Sequence, residues 1–270
     1  MSEIKKQIAR LGGAKKSLGQ HFLNDEGVVQ RMVKVGNINK DDTVLEIGPG
    51  LGILTRELTK SPAKKIIACE KDDLIYEFLQ NEVKQKNLSI VHKDALLLIP
   101  NIVATPPFKV ISNLPYNIAS PVIISLLTVC PVLPEKMVLM VQKEVAQRLT
   151  TKPGGSNRGI LTVFLELFAD VKIIEKLSPG QFYPPPQVES AVVLIDNIKM
   201  PDFDRKRAFK IIKTAFSKKR KKIKNSLFAS LEIYGKNMDE ICTKANITPD
   251  LRAEDLDIEQ WRALIGALPR

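Results

Sequence analysis

The chain has 270 residues, 44% of them hydrophobic and 26% charged, which suits one large soluble core with a smaller appended unit. No apolar run is long enough to span a membrane and the N-terminal MSEIKKQIARLGGAKK has no signal-peptide core, so a cytoplasmic protein is expected. Three widely separated cysteines (Cys69, Cys130, Cys242) and two histidines exclude a disulfide framework and argue against a metal site, so none is expected.

In chain order, short β-branched runs alternate with helical patterns. TVLEI (43–47), KIIAC (65–69), LSIVH (88–92), KVIS (109–112) and KMVLMV (136–141) read as strands buried on both faces. Between the second and third, apolar residues at Leu74, Ile75, Phe78, Leu79 and Val83 keep a helical spacing. Ser120-Pro121 reads as a helix start with Ser as its cap. The alternation predicts an α/β fold with a mostly parallel, doubly wound sheet. After Gly159 a helix-like ILTVFLELF precedes VKIIEKL, the proline-rich QFYPPPQ and SAVVLI, two strands that predict an antiparallel closure of the sheet edge. Beyond Asp202 the pattern is helical, with stripes at Ala208, Ile211, Ile212, Ala215 and Phe216, then at Ile223, Leu227, Phe228 and Leu231. A boundary near residue 200 divides the chain into a domain over 1–200 and an all-helical one over 201–270. From Lys199 to Lys224 stand twelve basic residues against two acidic ones, in a chain of net charge +11. Such a block suits a solvated helix face or, given its concentration, a polyanion partner.

The chemistry gathers at one strand end after another. The first strand runs into Glu46-Ile-Gly48-Pro-Gly50-Leu-Gly52, a turn that lets a ligand approach the backbone with a helix N-terminus behind it. The glycine spacing departs from the dinucleotide fingerprint, and Glu46 would repel a pyrophosphate. A cationic ligand such as S-adenosylmethionine (SAM) tolerates that acid better. Glu70 ends the second strand, where a carboxylate accepts the hydroxyls of a ribose, and Asp94 follows the third, facing an adenine amine. Each acid alone could equally be a helix cap.

Asn113-Leu-Pro-Tyr116 ends the fourth strand. The Asn113 side-chain oxygen and the Leu114 carbonyl are two acceptors fixed by a proline, suited to an amine with two hydrogens to donate. An adenine amine is a poor nucleophile because its lone pair is delocalised into the ring. Accepting both hydrogens draws that nitrogen toward tetrahedral geometry and frees the pair, while Tyr116 can stack on the base. Alone, the segment could be a capped strand-to-helix turn.

The order Gln20-His21-Phe22-Leu23, EIGPGLG, Glu70, Asp94, NLPY and Phe182-Tyr-Pro-Pro-Pro-Gln-Val188-Glu-Ser190 resembles the small-subunit ribosomal RNA adenine dimethyltransferases, the KsgA family. FSKKRKKIKNSL (216–227) and LRAEDL (251–256) resemble that family's basic segment and its C-terminal motif, so the likeness covers nearly the whole chain. It implies a Rossmann-like, class I SAM-dependent methyltransferase sheet over 1–200, closed over the donor by an arm and helix within 1–40, with 201–270 a basic helical RNA-binding domain. The implied substrate is 16S-type rRNA in the small ribosomal subunit or its precursor, dimethylated at two adjacent adenosines of the 3′-terminal hairpin by a monomer that avoids membranes. By resemblance His21, Leu23, Glu46, Gly48, Gly50, Glu70, Asp94 and Asn113 hold the donor, and Asn113, Leu114, Tyr116 and Phe182 serve the target base. Lys218, Lys219, Arg220, Lys221, Lys222 and Lys224 contact RNA.

Three positions depart from the family pattern: Arg158 where bacterial members carry Tyr, Lys219 where Arg is usual, and Ala253 where Pro is usual. Asn117 resembles bacterial members. Two alternatives are a large-subunit rRNA adenine methylase of the macrolide-resistance type and a ribosome-assembly or transcription factor that has lost catalysis. Leu114 and Arg252 speak against the first, and the intact acids with NLPY against the second.

Overall fold

The computed structural model describes residues 3–15, 18–102, 106–218, 221–227 and 238–268. Helix α1 (Glu3–Arg10), the short strand β1 (Phe22–Leu23) and α2 (Glu26–Gly36) come first. Strand and helix then alternate through β2 (Thr43–Ile47), α3 (Ile53–Thr59), β3 (Lys65–Glu70), α4 (Asp73–Glu82), β4 (Leu88–His92) and α5 (Ala95–Leu98). The alternation continues with β5 (Phe108–Asn113), α6 (Ala119–Thr128), β6 (Lys136–Gln142) and α7 (Lys143–Leu149). Next are α8 (Ile160–Glu166), β7 (Asp170–Leu177), β8 (Phe182–Tyr183) and β9 (Ser190–Asp196), and the described chain ends in α9 (Arg205–Ala215), α10 (Ile223–Ser226), α11 (Met238–Lys244) and α12 (Ile258–Ala267). Among the described residues no helix is long and apolar enough to cross a membrane.

Seven strands form one sheet in the order β4-β3-β2-β5-β6-β9-β7. β2 through β6 pair in parallel, and β9 runs antiparallel to β6. The predicted α/β sheet with an antiparallel edge is the observed one. The chain winds outward from β2 to β4, then restarts at β5 on the other side of β2, so the strand order reverses between β2 and β5. Ligands of such sheets bind outside the strand ends at this reversal. The β2–β5 ladder stops at Leu45 and Val110, and beyond it Ser112 Oγ takes over, accepting from Ile47 N (3.2 Å) and donating to Ile47 O (2.6 Å). The strands are thus held by a side chain at the point where they begin to part. At the other end a buried ion pair, Lys109 to Asp42 at 2.7 Å, fixes β5 against the loop before β2.

The chain divides into two compact units, Met1–Ala146 with Lys172–Ile198, and Gln147–Val171 with Lys199–Arg270. One division falls after Ile198, and residues 147–171, expected within the 1–200 domain, cluster with the C-terminal helices. The reason is aromatic packing: Phe164 of α8 meets Phe209 of α9 edge-on, with ring centroids 5.1 Å apart, and Phe168 meets Phe203 at 6.1 Å. Arg158, the buried departure from the family pattern, donates to the carbonyls of Glu254 and Leu256 and pairs with Glu166. It ties the loop before α8 to the segment before α12.

Two local expectations differ from the structure. Helix α6 starts at Ala119 with Ile118 as its cap residue, so Ser120 lies inside the helix and caps nothing. Ile118 N bonds instead to Pro115 O (3.1 Å), which closes the NLPY turn itself. In the second helical stripe only Ile223 and Leu227 are described, both buried around the four-residue α10; Phe228 and Leu231 lie outside the described residues.

Candidate active site

The cleft lies in the first unit at the strand reversal, and its walls are the turns that end the strands. The empty space there, counting its mouth open to solvent, is about 1100 Å³. One wall is the glycine turn after β2. Gly48 and Gly50 have φ of +68° and +56°, the left-handed region that L side chains avoid. A Cβ at Gly48 would sit 3.0 Å from the Pro115 ring, and one at Gly50 would sit 3.1 Å from the Phe22 ring. The turn is therefore bare backbone wedged between the NLPY proline on one side and the N-terminal arm on the other.

The three acids line this cleft but differ in state. Glu46 is 1% exposed, its Oε2 has no partner among the described residues, and burial pushes its carboxyl up to about 8. Glu70 is also raised by burial, although its Oε1 accepts the Lys71 and Asp72 amides at 2.7 and 2.8 Å. Its Oε2 keeps only a long 3.4 Å contact from Gly50 N, and so has capacity for a ligand. Asp94 is the reverse case: the bond from Lys71 Nζ, 2.8 Å long, holds its carboxyl below the ordinary value. Asp94 Oδ1 also accepts from Leu96 N at 2.9 Å, capping α5, so lining the cleft and capping a helix fall to one residue.

The opposite lip is the end of β5. Leu114 N is held by Met140 O at 3.1 Å, while the Leu114 carbonyl and the Asn113 side chain have no partner among the described residues. Tyr116 is half-buried with its hydroxyl 2.5 Å from Ser190 Oγ, and burial raises its pKa. Its ring stacks on His21, with centroids 5.5 Å apart and planes at 27°. His21 Nδ1 lies 2.8 Å from Pro184 O; a carbonyl only accepts, so Nδ1 carries the hydrogen.

The arm itself is clamped from both sides. β1 pairs antiparallel with β8, setting Phe22 opposite Tyr183 and Leu23 opposite Phe182. On the other side Lys15 and Gln20 reach Asp72. Of the expected site residues, His21, Leu23, Glu46, Gly48, Gly50, Glu70, Asp94, Asn113, Leu114 and Tyr116 all line the cleft. Phe182 does not: it is 3% exposed and packs in the core with Leu23, Met140 and Val192. Gly19 and Lys93 also line the cleft, as do Gln20 and Phe22 of the Gln20–Leu23 motif, none of them expected as site residues.

The basic segment belongs to the second unit. Lys218 and Lys221 are exposed there, whereas Lys222 and Lys224 pair with Asp250 at 3.2 and 2.5 Å. Lys219 and Arg220 lie outside the described residues.

The sequence model of the ribosomal RNA adenine dimethylases matches residues 13–268. The chain belongs to that family. A protein of Clostridium botulinum named ribosomal RNA small subunit methyltransferase A is 38% identical over 256 residues, covering 92% of each chain. One of the same name from Dehalococcoides mccartyi is 36% identical over 93% of this chain and 87% of that one. Among solved structures, a dimethyladenosine transferase from Plasmodium falciparum superposes with TM-score 0.73 at 28% identity, over 90% of this chain and 96% of the other. The 23S rRNA methyltransferase ErmE shares the fold, with TM-score 0.65 at 24% identity over 92% and 99% of the two chains. Membership makes this chain an RNA-modifying methyltransferase of the SAM-dependent kind.

Proposed function

We propose that this chain transfers methyl groups from SAM to the exocyclic amines of two adjacent adenosines in the 3′-terminal hairpin of small-subunit rRNA, within the subunit or its precursor. The observation that carries the reading is the pair of unclaimed acceptors at the cleft lip, the Asn113 side chain and the Leu114 carbonyl, standing beside a glycine turn and a buried unpaired carboxyl. Acceptors that line a cleft without a protein donor are free to take a ligand's donors in place of water.

The donor's chemistry fits the walls. SAM, when bound, supplies an electrophilic methyl group on a sulfonium centre. Glu46 gives the cleft floor a carboxyl that a cationic ligand would ionise, and Gly48 and Gly50 let the ligand lie against the backbone. Glu70 Oε2 accepts from ribose hydroxyls and Asp94 from an adenine amine, while His21 and Leu23 cover the donor from the arm. Asn113 and Leu114 accept both hydrogens of the target amine, which localises the nitrogen lone pair for attack on the methyl. Tyr116, braced by His21 and Ser190, offers its face to the base. Phe182 serves from behind, filling the core under Leu23. Phosphates meet Lys218 and Lys221 first, with Lys222 and Lys224 partly neutralised by Asp250.

The test incubates the protein with methyl-labelled SAM and, in parallel, unmethylated small subunits, naked small-subunit rRNA and large-subunit rRNA. Label in two adjacent hairpin adenosines of the small-subunit RNA is expected. Label in large-subunit RNA would move the chain to the macrolide-resistance type, and RNA binding without label would make it an assembly factor.

A further inference from the structure

Asp72 follows Glu70 by two residues and does not line the cleft, yet its side chain is only 2% exposed and carries more hydrogen bonds than a helix cap requires. Its Oδ1 accepts from Leu74 N at 3.1 Å, capping α4, and from Lys15 Nζ at 2.9 Å. Its Oδ2 accepts from Gln20 Nε2 at 2.9 Å and lies 2.8 Å from the same Lys15 ammonium. Both partners are in the arm. Gln20 Oε1 in turn accepts from Lys15 N at 2.8 Å, so the two residues that reach Asp72 are also joined to each other. Leu18, Gly19, Gln20, His21, Phe22 and Leu23 of this arm wall the cleft, and Asp72 N donates to Glu70 Oε1 at 2.8 Å. One buried carboxylate thus joins the arm, the α4 cap and the carboxylate read as the ribose acceptor.

We propose that Asp72 is a latch that holds the N-terminal arm closed over bound SAM, a positioning residue that sets how long the donor stays. The inference rests on SAM occupying this cleft. On one side the arm is held by the β1–β8 pairing; on the α4 side Phe22 and Ile8 pack against Ile75 and Leu79, and Asp72 adds the polar attachment there. A capping role alone would need one acceptor for one backbone amide. The extra bonds come from residues 52 and 57 positions earlier in the chain, and they tie down the arm that walls the cleft.

Asp72→Asn separates the two roles, because Asn caps a helix as well as Asp does but presents an amide to two donors and carries no charge for Lys15. Dissociation of SAM, followed by stopped-flow fluorescence, and steady-state kinetics with unmethylated small subunits are the readouts. Losing an ion pair and a charge-assisted bond at a half-exposed arm should raise the donor off-rate and its KM about five- to tenfold, with kcat at saturating SAM changed less than about twofold. Lys15→Met should give the same split, the double variant should be no worse than either single one, and Lys15→Arg should retain wild-type values. If Asp72→Asn fails to melt cooperatively, Lys15→Met, at a side chain 40% exposed, carries the test. An unchanged off-rate and KM, a loss confined to kcat, or additive single effects would overturn the latch. A wild-type protein that retains no SAM would overturn the donor reading, and the latch with it.

Discussion

Glu46→Gln tests the cleft floor. With its ordinary value at 4.5 and burial pushing it to about 8, Glu46 in the folded chain keeps a proton that the unfolded chain releases. The sign follows: its contribution is fully present below pH 4.5 and is lost progressively as pH rises toward 8. Each pH unit between those limits costs about 1.4 kcal/mol, so wild type at pH 7, 2.5 units above 4.5, has lost at most about 3.5 kcal/mol relative to acid through this one group. Gln has nearly the same shape and does not titrate. Its unpaired amide costs about 1–3 kcal/mol, but that penalty is independent of pH. Urea unfolding of both proteins at pH 5, 6, 7 and 8 should therefore show the stability difference moving steadily in favour of Gln as pH rises, then levelling. Donor binding should move the other way. A cationic ligand favours the carboxylate, so wild-type affinity for SAM should strengthen with pH up to about 8, by as much as tenfold per unit, and the Gln variant should lose that slope. Parallel pH–stability curves for the two proteins, or a SAM slope that survives the substitution, would refute the argument.

Three further outcomes are expected. Asn113→Ala should lower methyl transfer to small subunits by at least about a hundredfold, as removal of one preorganised polar group does elsewhere; filter binding should show RNA affinity unchanged, because the basic segment is separate in the chain. Lys109→Met should destabilise the protein by about 3 kcal/mol in urea by stranding the buried Asp42 carboxylate, and Asp42→Asn in the same chain should recover much of the loss. Replacing Lys218 and Lys221 by Gln should make the dependence of log affinity on log salt shallower by about 1.5, at 0.7–0.9 per phosphate contact, whereas Lys222→Gln alone should change it less because Asp250 already holds that ammonium.

The sheet was legible because its strands are buried on both faces and therefore read as continuous β-branched runs, and because a strand ending in glycines announces its turn. The gathering of Glu46, Glu70, Asp94 and Asn113 followed from topology alone, since parallel strands put their C-terminal ends on one edge. What the sequence hid was of another kind. The apolar residues of α8 fit a sheet-side helix or a helical bundle equally well, and only the partner ring of Phe209 decides. Phe182 sits in an exposed-looking proline-rich segment, but pairing with Leu23 turns it into the core. Lys222 and Lys224 read as free positive charge until Asp250 folds against them. In KDDL, Asp72 looks like an ordinary helix cap, and nothing local signals Lys15 and Gln20. Periodicity reports which face is buried; it carries no record of which distant residue meets it there.

The same distinction separates the three cleft acids. In sequence they are alike, each a carboxyl at a strand's end, yet the fold drives Glu46 and Glu70 up and Asp94 down. The order follows depth. Glu46 is sealed beneath the glycine turn with an oxygen unpartnered, Glu70 is satisfied on one oxygen only, and Asp94 at the rim is neutralised by Lys71 and bound to its own helix. A uniformly ionised cleft would hold any cation and would be expensive to fold. A cleft whose deepest carboxyl is held mostly protonated by burial defers much of that expense, since a cationic ligand would favour its ionisation. Methyl transfer removes that charge from the donor. If SAM occupies the cleft as proposed, the deepest acid then favours its proton again, and the spent donor, neutral at sulfur, is held less tightly than a fresh one.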